Sequence, residues 1–338
     1  MLRRRELLGA AAATTLATPA LAQLNPGWRP DRPVNLVVPW AAGGSTDQMA
    51  RIVAVELEEA LGQKWVVVNQ PGASGSIGTR NVLQSAKDGY TWAAGAAIDI
   101  GCYRVLGMFD APYAGLDDWN LFFAVANVNT IAANPNSPYK DFGALLEAMK
   151  RNPNIAIATA GQSSAGHNVM EAVKAAANIS YRMAPYDGGN PAVLATVAGE
   201  TPVGASLMVE MAEMIRGRRL IPLAAQSETD VTLSGYGTIP SIRKFLPNIP
   251  APLNYFGIWS AKGTPQNVVD AVSRVWETKI KNSTRLKEYA EQKAAVFTPI
   301  HGKAAHDGAW VAVRQTAWLY HDGGKSKAAP DTMGIPRL

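Results

Sequence analysis

One order of elements constrains this chain more than any other feature: a short apolar strand, a glycine-rich turn, then a helix, recurring along its length. Val34-Asn35-Leu36-Val37-Val38 is a run of the kind a buried strand needs, bounded by Pro33 and Pro39. It leads into Trp40-Ala41-Ala42-Gly43-Gly44-Ser45-Thr46-Asp47, after which Met49, Ile52, Val53, Leu57 and Leu61 recur at helical spacing until Gly62. Lys64 to Val68, Gly72 to Gly78, Thr79 to Ala86 and Tyr90 to Ala94 repeat the order as strand, turn, helix and strand. Such alternation calls for an α/β fold with a mostly parallel sheet covered by helices on both faces.

A second α/β unit follows. Ile155 to Thr159, Tyr181 to Ala184, Val203 to Leu207 and Leu220 to Ala224 read as strands, with helices at His167 to Ala177, Pro191 to Val197 and Met211 to Arg216. Pro240, Pro247, Pro250 and Pro252 mark a connection, then come a strand at Tyr255 to Ser260 and a helix from Pro265 to Lys281 with Thr264 as its expected N-cap. With 338 residues the chain has room for about two domains.

Residues 1–22 read as an export leader: Arg3, Arg4 and Arg5, an apolar stretch from Leu7 to Leu16, then Ala20-Leu21-Ala22 as a small-x-small cleavage site. Arg4-Arg5 also leaves the twin-arginine route open beside the general secretory one. Cleavage removes three arginines and one glutamate, lowering the formal charge of +5 by two, so no strongly basic surface for nucleic acid is expected. Cys102 is the one cysteine, which rules out an internal disulfide, a cysteine-rich metal site and a lipid anchor behind the leader. A free extracytoplasmic, periplasmic protein, monomeric and without cofactor or metal, is the expectation.

Chemistry concentrates at the turns before helices. The first turns of a helix present unpaired N–H groups and the positive end of its dipole, so Trp40, Ala41, Ala42, Gly43, Gly44, Ser45 and Thr46 form a loop suited to a carboxylate or phosphate. The same types recur in the second unit at Thr159, Ala160, Gly161, Ser163, Ser164 and His167, and Tyr186 heads a further turn with a hydroxyl to donate. Paired anion loops suggest a ligand with two acid ends. Gly72 to Gly78 has G-x-x-G-x-x-G spacing and no G-x-x-x-x-G-K-[ST] occurs, so a nucleotide fits poorly. An exported serine hydrolase using Ser163 or Ser164 with His167 is the alternative, although no G-x-S-x-G elbow is present.

Taken in order, Val37-Val38-Pro39-Trp40-Ala41-Ala42-Gly43-Gly44-Ser45-Thr46-Asp47 with Ala50-Arg51, Val68-Asn69-Gln70-Pro71-Gly72-Ala73-Ser74-Gly75-Ser76-Ile77-Gly78, Asp88-Gly89-Tyr90-Thr91, Gly166-His167, Pro185-Tyr186-Asp187-Gly188-Gly189, Phe256-Gly257-Ile258-Trp259, Lys262-Gly263-Thr264-Pro265 and Pro330-Asp331-Thr332-Met333-Gly334-Ile335-Pro336 closely resemble the periplasmic solute-binding proteins of tripartite tricarboxylate transporters, the Bug family. The resemblance implies a two-lobe Venus flytrap of the type II periplasmic class, closing on a di- or tricarboxylate or an aromatic acid and delivering it to membrane permease subunits. It also implies two crossings between lobes, near Phe123 to Ala126 and Pro250 to Tyr255, giving a lobe of residues 27–123 plus 253–338 and another of 124–252. By the same resemblance, the loop from Trp40 to Thr46 grips one carboxylate and the loop from Thr159 to His167 reaches the other end. The chain departs from the family pattern at Trp40, Asn168, Ala195 and Thr201-Pro202, so the ligand of no single relative can be carried over.

Overall fold

The first strand, β1 (Val34–Val38), is buried on both faces: Val34, Leu36 and Val38 enter one apolar cluster while Val37 enters another. A strand lined by β-branched and aliphatic residues on both sides can only sit inside a sheet sandwiched by helices. In the computed structural model, which describes residues 27–337, that sheet is built first by α1 (Ser45–Leu61), β2 (Trp65–Asn69), α2 (Ser76–Gln84), β3 (Thr91–Ala96), α3 (Ala97–Cys102) and β4 (Trp119–Asn127). Helix α1 turns Met49, Val53, Leu57 and Leu61 onto the sheet and ends at Gly62, whose left-handed backbone sends its N–H to the Glu58 carbonyl. The segment expected to carry the leader lies outside the described residues.

The chain then crosses into a second sheet with β5 (Asn129–Ala133), α4 (Phe142–Arg151), β6 (Ala156–Thr159), α5 (Ala165–Ala177), β7 (Arg182–Pro185), α6 (Gly189–Ala198), β8 (Val203–Leu207), α7 (Met208–Arg216), β9 (Ile221–Gln226) and the hairpin β10 (Val231–Leu233) with β11 (Gly237–Ile239). It returns with β12 (Asn254–Ala261), α8 (Gln266–Thr278), α9 (Thr284–Lys293), β13 (Val296–His301) and α10 (Gly302–Asp322). The N-cap of α8 is Pro265; the Thr264 hydroxyl, expected to cap it, instead donates to the Ala261 carbonyl at 2.8 Å.

Two lobes follow from the strand orders, β13-β4-β12-β3-β1-β2 and β7-β6-β8-β5-β9. Both sheets are mixed. β1 is parallel to β2 and β3, but β12 runs antiparallel to β3 and β4, as does β13 to β4. In the second sheet β6, β7 and β8 are parallel and β5 runs against β8 and β9. The reason is topological: one strand leaves a lobe and another returns beside it, so the pair must be antiparallel. Strand β4 holds its place in the first sheet to Asn127, beyond the crossing expected from the sequence, and β12 begins opposite it at Asn254. At the junction the Asn129 amide donates to Gln226 (2.7 Å), whose own amide donates to the Pro250 carbonyl (2.7 Å).

Candidate functional site

The turn after β1 is shaped by one carboxylate. Asp47 accepts from Gly43 N–H at 2.9 Å, from the Arg51 guanidinium at 3.0 and 2.9 Å, and from the Asn69 amide at 3.0 Å, while Asn69 also donates to the Trp40 carbonyl. Burial by itself would raise the Asp47 carboxyl, but these hydrogen bonds outweigh it and hold the group below its ordinary value. Gly43 takes φ +81°, a left-handed conformation that glycine adopts freely. The result is a rigid loop that points the start of α1 at the space between the lobes.

The second turn is organised by Ser164, whose hydroxyl donates to the Gly161 carbonyl at 2.7 Å and accepts from His167 N–H at 3.3 Å as the N-cap of α5. Asn168 ties this turn to the other lobe: its amide donates to the Ser163 carbonyl at 3.0 Å and its oxygen accepts from Tyr320 of α10.

These turns border a narrow cavity of about 30 Å³ between the lobes. Trp40, Ala41, Gly44, Ser45 and Thr46 line it from the first lobe, Ala160 and Ser164 from the second. The starts of α1, α5 and α6 therefore converge on one space. Other residues expected at the site do not line this cavity. Ala42 and Gly43 face solvent, and Thr159 is buried with its hydroxyl bonded to Gly161 N–H. Gly161 and Ser163 also stand off the cavity lining, Ser163 with φ +62° and a buried hydroxyl that no protein group answers. Tyr186 turns its hydroxyl to Glu200 at 3.0 Å.

His167 is engaged away from the cavity. Its Nδ1 lies 3.1 Å from the Tyr181 hydroxyl and its Nε2 3.3 Å from Lys325 Nζ, and its ring stacks on Tyr320. Burial, reinforced by the Lys325 charge, depresses its pKa to about 4 against the weaker opposing pull of Glu171. Among the described residues no hydrogen bond joins this ring to the Ser163 or Ser164 hydroxyl, so the geometry required of a serine–histidine pair is not assembled. No group of three or more His, Cys, Asp or Glu among them is placed to hold a metal ion. Burial pushes the Cys102 thiol up, leaving it an inert core group.

Two acidic residues at the cavity escaped the sequence reading. Glu210, in the first turn of α7, reaches across the cleft so that its Oε1 accepts from Ser45 N–H at 3.0 Å, while its Oε2 accepts from the Ser206 hydroxyl. Asp99, in α3, is 5% exposed and lines the same cavity with its Oδ1 unpartnered. Burial pushes its carboxyl well above the usual carboxylate range, and the Glu210 charge adds to the effect. Glu210 reads in sequence as an ordinary first-turn glutamate, and its contact with Ser45 spans 165 positions. Asp99 carried a signal, a lone acid in the apolar run from Ala96 to Ile100.

Comparison with known proteins agrees with this geometry. The profile of the tripartite tricarboxylate transporter family receptor matches residues 49–300. Protein BugT of Bordetella pertussis is 30% identical over 277 residues, spanning 80% of this chain and 82% of its own. A UPF0065 protein in the tcbD-tcbE intergenic region of Pseudomonas sp. is 29% identical over 280 residues, spanning 80% of each chain. Among solved structures, the periplasmic binding protein BugD superposes with a TM-score of 0.79 at 26% identity, covering 88% of this chain and 100% of its own. The chain belongs to the tripartite tricarboxylate transporter receptor family, with the two-lobe fold of its periplasmic binding proteins.

Proposed function

We propose that this protein is an exported solute receptor that captures a small carboxylate by closure of its two lobes and presents it to the permease subunits of a tripartite tricarboxylate-type transporter. The observation that carries this reading is the convergence of the α1 and α5 N-termini, one from each lobe, on a single cavity. Helix N-termini hold anions through backbone N–H groups and the dipole without a formal positive charge. Such holding suits a receptor that must let its cargo go. Because each lobe supplies one terminus, a bound solute stabilises the closed arrangement and closure becomes the signal a permease can read. The leader at residues 1–22 supports a periplasmic site of action, and no helix among the described residues is long and apolar enough to cross a membrane.

Thermal melting of the leaderless chain against mono-, di- and tricarboxylates, aromatic acids, amino acids and phosphates tests the reading, with calorimetry on each hit. A ligand at one hundred times its Kd adds about 2.7 kcal/mol of stability. Replacing Gly44 and Ser164 together by valine is expected to weaken a carboxylate hit by about tenfold or more, since both helix starts are then blocked. Unchanged affinity in that variant, or no stabilisation by any acid, would overturn the assignment.

A further inference from the structure

Glu210 belongs to the second lobe and bonds to the first. It stands in the first turn of α7, where its Oε2 accepts from the Ser206 hydroxyl and, at 3.4 Å, from the N–H of Leu207, the N-cap of that helix. These contacts anchor the carboxylate in its own lobe and leave Oε1 free to cross the cleft, where it accepts from Ser45 N–H at 3.0 Å. Ser45 is the first residue of α1, and the N-cap before it is Gly44, which has no side chain to offer. An N–H that helix bonding leaves open, at the positive end of the dipole, is therefore answered by an anion from the opposite lobe.

Three helix starts crowd this carboxylate. A Cβ at Gly44 would lie 3.3 Å from Oε1, and one at Gly189, the first residue of α6, would overlap the carboxylate itself. Gly166, in the first turn of α5, packs on the backbone of Ala205 and Ser206 that leads to Glu210. What remains open between the lobes is about 30 Å³, room for about two water molecules. A carboxylate with a carbon chain does not fit beside Glu210. The lining also carries no Lys, Arg or His to offset a second negative charge, its other ionisable side chain being Asp99.

We infer that Glu210 is an internal competitor: its carboxylate takes the solute's place at the start of α1, holds the lobes together while no solute is present, and leaves Ser45 before a carboxylate is gripped there. The inference rests on the carboxylate-receptor reading and deepens it by adding a threshold. The latched form cannot accept a solute, so the apparent affinity is lowered by the share of molecules that are latched. A solute prevails by replacing the Ser45 contact and adding contacts of its own to the second lobe. Glu210, still anchored to Ser206, then opposes the solute by its charge, and opposes it more the more charge the solute carries.

The test is calorimetry on the leaderless protein at pH 7 with acetate, succinate, citrate and benzoate. Glu210→Ala removes the competing contact and is expected to bind the tightest of these acids about tenfold or more tighter than the wild type, with the gain rising from acetate to succinate to citrate. Glu210→Gln keeps the shape without the charge and should show a smaller gain, which keeps the test decisive if the alanine variant melts early. Tighter binding is not what a damaged fold produces, so the outcome separates a competitor from a residue that only supports the structure. The amide proton resonance of Ser45 gives a second readout: it should move upfield in free Glu210→Ala and return towards its wild-type position as the acid saturates. Equal or weaker binding in both variants, or a Ser45 resonance indifferent to the substitution and to the acid, overturns the inference and leaves the receptor reading standing. Failure of every acid to bind overturns both.

Discussion

His167 shows how a residue that looks catalytic can serve the structure instead. Its imidazole is held neutral in a buried cluster with Tyr181, Glu171 and Lys325, whose ammonium lies 2.7 Å from the Glu171 carboxylate. A histidine whose pKa falls to about 4 on folding takes up its proton in the unfolded chain first, so stability is lost as the pH drops from about 6.5 towards 4 and is untouched above that range. Glu171 is pulled below its ordinary value, because hydrogen bonds from Lys325 and Tyr181 overcome the opposing effect of burial, so its contribution is lost only at still lower pH. We expect His167→Asn to remove up to about 3 kcal/mol of the pH dependence between those limits. Denaturant titrations of both proteins at pH 7 and 4.5 would show it, and parallel pH profiles would contradict it. The sequence disclosed the glycines and hydroxyls of the turns because their chemistry is local. It disclosed neither the Asp47 network's reach to Asn69 nor Glu210's reach to Ser45, which exist only once distant segments meet.

At the scale of elements, α1, α5, α6 and α7 form one device. Helix α6 begins so close to the Glu210 carboxylate that Gly189→Ala must move it. The clashing atoms are the end of a flexible side chain, so the variant should fold with stability within about 1 kcal/mol of wild type. Its carboxylate, however, should leave Ser45, and Gly189→Ala should therefore change ligand preference as Glu210→Ala does, with no further change in the double variant. Additive effects in the cycle would show that the two residues act separately. Most elements were legible because their apolar periodicity is regular: α1 and β1 lie where the pattern puts them. The start of α8 was missed by one residue, since Thr264 hydrogen-bonds backwards to Ala261. The antiparallel strands were not readable, because pairing direction depends on how the chain recrosses between lobes.

On the whole molecule, the lobes are joined by two adjacent crossings and fastened by contacts on either side of the cleft. Tyr320 of α10 meets Asn168 of α5, Lys325 meets Glu171, and Lys293 of α9 meets Glu213 of α7 at 2.7 Å. Exposed ion pairs of the last kind contribute little, whereas the half-buried Glu210 carboxylate bridges the cleft to Ser45 N–H without a ligand. The two-lobe plan followed from the family motifs spread from Val37 to Pro336, while the closing contacts depend on single residues such as Asn168. The most direct test is small-angle scattering of Glu210→Ala, with and without the tightest ligand from calorimetry. Hinge closure around a bound solute predicts a larger radius of gyration than wild type for the free variant and a return to the wild-type value on saturation. One radius in all states, with the ligand demonstrably bound, would contradict it.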